Sequence, residues 1–303
     1  MRRIAVLPHL LTMGNAFCGM LAISKGIDAL AIAETHPFAF YAKLENACWL
    51  IFLAMVFDAL DGKVARLTRA ASAFGAQLDS FSDALTFGAA PALLAKMVIE
   101  HEAPIQGAIG HPRLHFIAAA AFALMAILRL ARFNLETTPE ASAHTSFKGL
   151  PSPAAAGAVA STILFYLAMV RPELEVDEGT PTPLGTAMAL FPEIRVTIPS
   201  WYLPALAAML PVLGFLMVSR VRYPHMVDRL TRRGSFFALV YFIFGAFLFF
   251  AAPIPILFLV FNGFVLNGVI RRIFRRKRRP QDGPPHDGAP LGLRTEPMET
   301  RRP

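Results

Sequence analysis

The sequence predicts an all-α fold, a polytopic transmembrane helical bundle of about eight spans, on three observations. Of its 303 residues 55% are hydrophobic and only 17% charged, well below the roughly 25% charged of a soluble domain. Apolar runs long enough to cross a bilayer recur along the chain, separated by short connections. Those connections are mostly basic, whereas residues 171–200 are acidic and proline-rich, as expected of loops on opposite sides of a membrane.

Residues 1–10, MRRIAVLPHL, place two arginines ahead of an apolar segment and read as a short interfacial helix. The first span is expected from about Leu11 to Ala33. A loop with Pro37 leads to a second span from about Tyr41 to near Arg69, and a third runs from about Phe74 to Ile99. Lys63, Arg66 and Arg69 on the turn between them mark that face as cytoplasmic. The fourth span, about Phe116–Phe133, ends in RLARFN; the fifth follows FKGLPSPAAAG (147–157) and continues to about Val170. After the acidic loop, a sixth span covers about Trp201–Ser219 and returns to the basic segment SRVRYPHMVDRLTRRG. A seventh and an eighth, split near AAPIP at 251–255, end at RRIFRRKRR. An even number of spans puts both termini on the cytoplasmic side. The membrane-embedded domain is therefore drawn as 1–279. Residues 280–303, rich in proline, glycine and charge, are expected to be a disordered cytoplasmic tail.

Several function classes drop out. The net charge of +8 is concentrated beside the spans and in the tail, where it sets orientation and attracts anionic headgroups, and no nucleic-acid module is visible. Cys18 and Cys48 both lie in apolar stretches, too few for a zinc site or a disulfide framework, and read as small buried hydrophobes. No cleavable signal peptide is expected, because the first apolar run continues past Gly14 and Gly19 without a cleavage site.

One stretch carries chemistry: Asp58–Asp83, DALDGKVARLTRAASAFGAQLDSFSD. An ionisable group at bilayer depth costs roughly 2.5–3.5 kcal/mol on insertion scales, so four carboxylates together need a compensating cation. Asp58 and Asp61 are three apart and Asp79 and Asp83 four apart, so each pair shares a helix face and two facing helices would converge all four. Ion pairing with Arg66 and Arg69 alone is insufficient, since two arginines cannot neutralise four carboxylates. An all-oxygen ligand set suits Mg2+ or Mn2+, often shared with substrate phosphates. Gly62, Ala65 and Gly75 remove side-chain bulk where a flat or phosphorylated ligand approaches, and Arg66 offers a forked cation to phosphate oxygens. Thr12 and Asn15 on the first span are either satisfied by neighbouring backbone or contribute to the phosphate pocket.

The pattern D-x-x-D-G-x-x-A-R, eight residues, G-x-x-x-D-x-x-x-D resembles that of the CDP-alcohol phosphotransferases at all eight fixed positions. The resemblance implies that an alcohol attacks the lipid-linked phosphorus of a CDP-activated donor and that CMP leaves. It also implies that Asp58, Asp61 and Asp79 hold two metal ions, with Asp83 a further ligand or the base for the alcohol proton. Arg66 would then bind donor phosphates, and Gly62, Ala65 and Gly75 would accommodate the nucleotide. A wider set of segments, LLTMGNAFCGMLAI, DGKVARL, FGAQLDSFSD with FGAAP, RLARFN, FKGLPSPAAAG and LMVSRVRYP, looks like the membrane-embedded phosphatidylserine synthases. That likeness implies CDP-diacylglycerol as donor and L-serine as acceptor, a prokaryotic plasma or inner membrane, contact with membrane lipids, and a homodimer.

Serine is zwitterionic, so its pocket needs a cation for the carboxylate. Arg129, Arg132 and Asn134 at the end of the fourth span are the candidates, with Lys148 and Ser152 on the following segment; the alternative is that the arginines are headgroup anchors. Other acceptors remain open: glycerol 3-phosphate or an inositol phosphate, which would need a further basic pocket, or choline, which would need an aromatic cage. From other classes, a cation-coupled transporter would also use intramembrane carboxylates but has no need of the DGxxAR spacing, and an inactive scaffold has no need of the aspartates.

Overall fold

The computed structural model describes residues 6–68, 72–105, 111–136, 146–170, 199–219, 221–224, 245 and 248–277. Eight α-helices dominate it: α1 (Val6–Ile32), α2 (Pro37–Leu67), α3 (Ala73–Asp83), α4 (Ala90–Ile105), α5 (Pro112–Glu136), α6 (Ser152–Val170), α7 (Tyr202–Val218) and α8 (Pro253–Lys277). A π-helical turn, Ala84–Ala89, joins α3 to α4 so that the two form one rod. Five helical stretches are long and apolar enough to cross a membrane: Val6–Ile32, Ala73–Ile105, Pro112–Leu135, Ser152–Met169 and Pro253–Arg272. The apolar helix α7 is shorter, with 17 residues. At 31 residues α2 is long enough, but its apolar run is interrupted by Lys43, Glu45, Asp58, Asp61 and Lys63.

Six of the expected spans correspond to α1, α2, the α3–α4 rod, α5, α6 and α7, and the eighth to α8. The seventh lies largely outside the described residues, as do residues 1–5, the loop 171–198, Arg69 and the tail from 280. Helix α1 begins at Val6, so residues 6–10 of the expected interfacial segment are continuous with the first span. Pro8 falls in the opening turn of that helix, where its missing N–H costs no intrahelical bond.

Small residues allow the helices to approach closely, as is usual between membrane helices. In α6, Ala155, Ala156, Ala158 and Ala160 are fully buried together with Val159, Ile163 and Leu164, so this helix is enclosed on most sides. Cys18 and Cys48 are buried members of the same core, as expected. Gly19 of α1 faces the π-helical turn, and a Cβ there would stand 2.3 Å from Thr86 Oγ1 and 2.9 Å from Thr86 Cα. Gly19→Val is therefore expected to cost about 1–3 kcal/mol by overpacking, read as a lower melting temperature of the detergent-purified protein.

Two three-residue strands, absent from the all-α expectation, form a small ribbon. β1 (Ser146–Lys148) pairs antiparallel with β2 (Arg222–Pro224), Phe147 opposite Tyr223. It links the segment entering α6 to the segment leaving α7. Gly149 makes the corner in the left-handed region (φ +92°), and any Cβ there would lie 2.2 Å from the Met217 carbonyl oxygen. Gly149 N–H donates to Val221 O at 2.8 Å and Leu150 N–H to Leu216 O at 3.1 Å, so the entry to α6 is fastened to the end of α7.

The opposite end of the bundle has its own polar cluster. Glu102 of α4 is 1% exposed. Its carboxylate accepts hydrogen bonds from the hydroxyls of Tyr41 (α2) and Tyr166 (α6), and the His101 ring nitrogen lies 3.0 Å away. Three helices are thereby joined at the end remote from the aspartates.

Candidate active site

The aspartates lie where α2 ends and α3 begins. Ser72 caps α3, its Oγ accepting from Gly75 N–H at 3.0 Å, and the helix then presents Asp79 and Asp83 one turn apart. Asp58, Asp61 and Asp79 come together, with one carboxylate oxygen from each within 4.8 Å of the others. Asp61 is 5% exposed, and Asp61 Oδ2 and Asp79 Oδ1 are buried without a hydrogen-bond partner among the described residues. Three crowded carboxylates, two of them with an orphaned buried oxygen, are unfavourable unless a cation is shared among them. All the ligand atoms are hard oxygens, so the set fits a divalent ion such as Mg2+ or Mn2+.

Asp83, 8% exposed, sits slightly apart from that trio. Asn15 Nδ2 donates to its Oδ1 at 3.1 Å, while Asn15 Oδ1 is buried with no partner among the described residues. The Asn15 carbonyl accepts from Thr86 Oγ1 at 3.0 Å, and the Thr12 carbonyl accepts from Ser82 Oγ at 3.2 Å. Thr12 Oγ1 itself donates to Pro8 O at 3.0 Å. Helix α1 is thus held against the rod by polar contacts on both sides of Asp83, and Asn15 orients this carboxylate. Ser82 and Thr86 escaped sequence inspection; they lie beside an aspartate and in a π-helical turn, a feature frequent at functional sites.

Around Gly62 the space is open: a Cβ there would meet nothing within 4 Å. Beside Gly75 lies the His9 ring, whose Nε2 would stand 3.1 Å from a Cβ, and His9 also packs edge-on against Phe74 at 5.5 Å. Ala65 is half-buried on the last turns of α2. Arg66, on α2, and Lys148, on β1, have side chains outside the described set.

The basic candidates of α5 separate. Arg129 Nη1 donates to Ser152 Oγ at 2.8 Å, and its charge is felt by Asp58 and Asp83. Its Nε is buried without an acceptor among the described residues. Arg132 instead donates through Nη1 to the Val218 carbonyl at 3.3 Å, at the C-terminus of α7. Asn134 is exposed and exchanges hydrogen bonds with Ser80 of α3 at 2.9 and 3.3 Å. The structure therefore pairs Arg129 with Ser152 and ties Arg132 to a helix end.

The family model described as CDP-alcohol phosphatidyltransferase matches residues 5–191, a segment that contains all four aspartates. The chain belongs to this family. Its curated relatives include a Helicobacter pylori protein named CDP-diacylglycerol-serine O-phosphatidyltransferase, 30% identical over 267 residues, which are 88% of this chain and 91% of that one. A Bacillus subtilis protein of the same name is 34% identical over 48% of this chain and 69% of its own. An archaetidylserine synthase from Methanothermobacter thermautotrophicus is 36% identical over 55% and 60% respectively. As a CDP-alcohol phosphatidyltransferase with several membrane-length apolar helices, the protein is an integral membrane enzyme.

Proposed function

We propose that the protein transfers the phosphatidyl group of CDP-diacylglycerol to the hydroxyl of L-serine, giving phosphatidylserine and CMP. The observation that carries this reading is the convergence of Asp58, Asp61 and Asp79 in a chain that aligns over 88% of its length with a relative named for that reaction. In the reaction the serine oxygen forms a bond to the lipid-linked phosphorus, the bond from that phosphorus to the CMP oxygen breaks, and the serine hydroxyl proton is lost to a base. Asp83, oriented by Asn15 and outside the trio, is the base in this reading. Asp58, Asp61 and Asp79 would hold Mg2+ or Mn2+, two ions by family resemblance, with Asp83 at the margin; the bound cation supplies charge neutralisation for the diphosphate.

The chain's own residues do the rest. The open face at Gly62 admits the nucleotide between α2 and α3, with Ala65, Arg66 and Gly75 of the same motif and Thr12 and Asn15 of α1 framing the donor. On the acceptor side Arg129 is the proposed cation, its Nη1 held by Ser152 Oγ, and Arg132, Asn134 and Lys148 are the further candidates for the serine carboxylate. Both termini and the site are proposed to face the cytoplasm, supported by Lys63, Arg66 and Arg69 beside the motif, and the enzyme to act as a homodimer, supported by family resemblance.

The test is CMP release by the purified protein in detergent with CDP-diacylglycerol and a divalent metal, with and without L-serine. Serine-dependent release is expected. Release driven only by glycerol 3-phosphate, an inositol phosphate or choline would retain the family and discard serine; movement of a solute across vesicles without CMP would favour a transporter.

A further inference from the structure

Ser152 was expected to touch the acceptor, yet its geometry suits a different task. It is fully buried at the first turn of α6, and its Oγ accepts from Arg129 Nη1 at 2.8 Å. The backbone that delivers it is fixed three times over. Gly149 adopts a conformation closed to other residues, Gly149 N–H is bonded to Val221 O, and Leu150 N–H is bonded to Leu216 O. From the other side, Arg132 fastens α5 to the end of α7 through the Val218 carbonyl. Arg129 therefore projects from a helix and reaches a serine that are both anchored to the same helix end.

What this leaves unpaired is informative. Arg129 Nε is buried and has no acceptor among the described residues, although its guanidinium stands where Asp58 and Asp83 feel its charge. A buried charged donor left without an acceptor is costly, and a guanidinium fork held at one nitrogen is preorganised to bind an anionic oxygen with another.

We propose that Ser152, delivered by the Gly149 corner, is a positioning residue that holds the Arg129 guanidinium so that an N–H not bonded to Ser152 binds an anionic oxygen of a bound substrate. This rests on the proposed transferase reaction. Two substrates could provide the oxygen, the acceptor's carboxylate or a donor phosphate, and Ser152 acts on either only through Arg129.

The experiment is a double-mutant cycle of Ser152→Ala and Arg129→Ala, reading KM for serine, KM for CDP-diacylglycerol, kcat and detergent melting temperature. Ser152→Ala is expected to raise one KM about tenfold, the size of losing a charge-assisted hydrogen bond, with the other KM and the melting temperature unchanged. In the Arg129→Ala background the same substitution should add less than twofold, because the arginine it positions is gone. A rise in serine KM identifies the carboxylate as the bound oxygen, and a rise in donor KM identifies a phosphate. Should Ser152→Ala not yield folded protein, Ser152→Cys keeps the size, weakens the acceptor and is expected to show the same rise. Equal effects of the serine substitution with and without Arg129, or no change in either KM, would overturn the proposal. Wild-type protein in the same assay separates the two ideas. If it releases CMP only with another alcohol, the serine reading falls, and the cycle is then read on that alcohol and on the donor. If it releases no CMP with any alcohol, the transferase reading and this inference fall together.

Discussion

Asp83→Asn is expected to lower kcat for CMP release by about 10²–10⁴-fold, the range associated with removal of a general base. The substitution retains the shape and leaves an oxygen to accept from Asn15 Nδ2, so the contact between α1 and the α3–α4 rod persists. What is lost is the capacity to take the alcohol's proton. Binding of CDP-diacylglycerol, measured on the same preparation, should change less than twofold. A variant that kept near-wild-type turnover would remove Asp83 from the role of base.

The second large effect falls on the metal trio and has opposite signs for activity and stability. Asp61→Asn removes one charged ligand from three carboxylates whose oxygens lie within 4.8 Å. The half-saturating concentration of Mg2+ or Mn2+ should rise by more than the roughly 10–100-fold that follows loss of an outer partner of a metal ligand, and Mn2+ binding followed by electron paramagnetic resonance should weaken in step. In chelator the order reverses. The metal-free variant should melt above the metal-free wild type, because one of three mutually repelling carboxylates is gone. A variant that melted lower in chelator, with metal dependence unchanged, would indicate that Asp61 holds structure and not an ion.

Much of this was legible because the membrane makes polar residues conspicuous. The aspartates stood out since no bilayer-depth carboxylate is there by default, and their spacing of three and four placed them on helix faces. The same cost applies to Glu45 and Glu102, 3% and 1% exposed, which no motif in the sequence marks. For Glu102 the partners explain the difficulty: Tyr41 and Tyr166 lie 61 and 64 residues away, and pairing over such distances leaves no local pattern, whereas Glu45 accepts from Trp49 Nε1 on the next turn of its own helix. Asn15 is similar, since its partner Asp83 is 68 residues away and their contact appears only when α1 packs on the rod. The ribbon was hidden for another reason. FKGLP and SRVRYP each supply too short a run to show alternation, and the strands exist because Gly149 brings the ends of α6 and α7 together.

The turn at Ala84–Ala89 sets the phase of the α3–α4 rod. Each residue advances an α-helix by about 100°, and a π-helical turn absorbs roughly one residue beyond that rhythm. Upstream of it Asp79 and Asp83 face the site; downstream Leu94, Ala95 and Val98 face the core. Were the same residues wound as uninterrupted α-helix, the two halves would rotate relative to one another by about that angle, and one set would leave its proper side. The number of residues between Asp83 and Pro91 is thus a component of the site in its own right, as binding on the sequence as the carboxylates themselves.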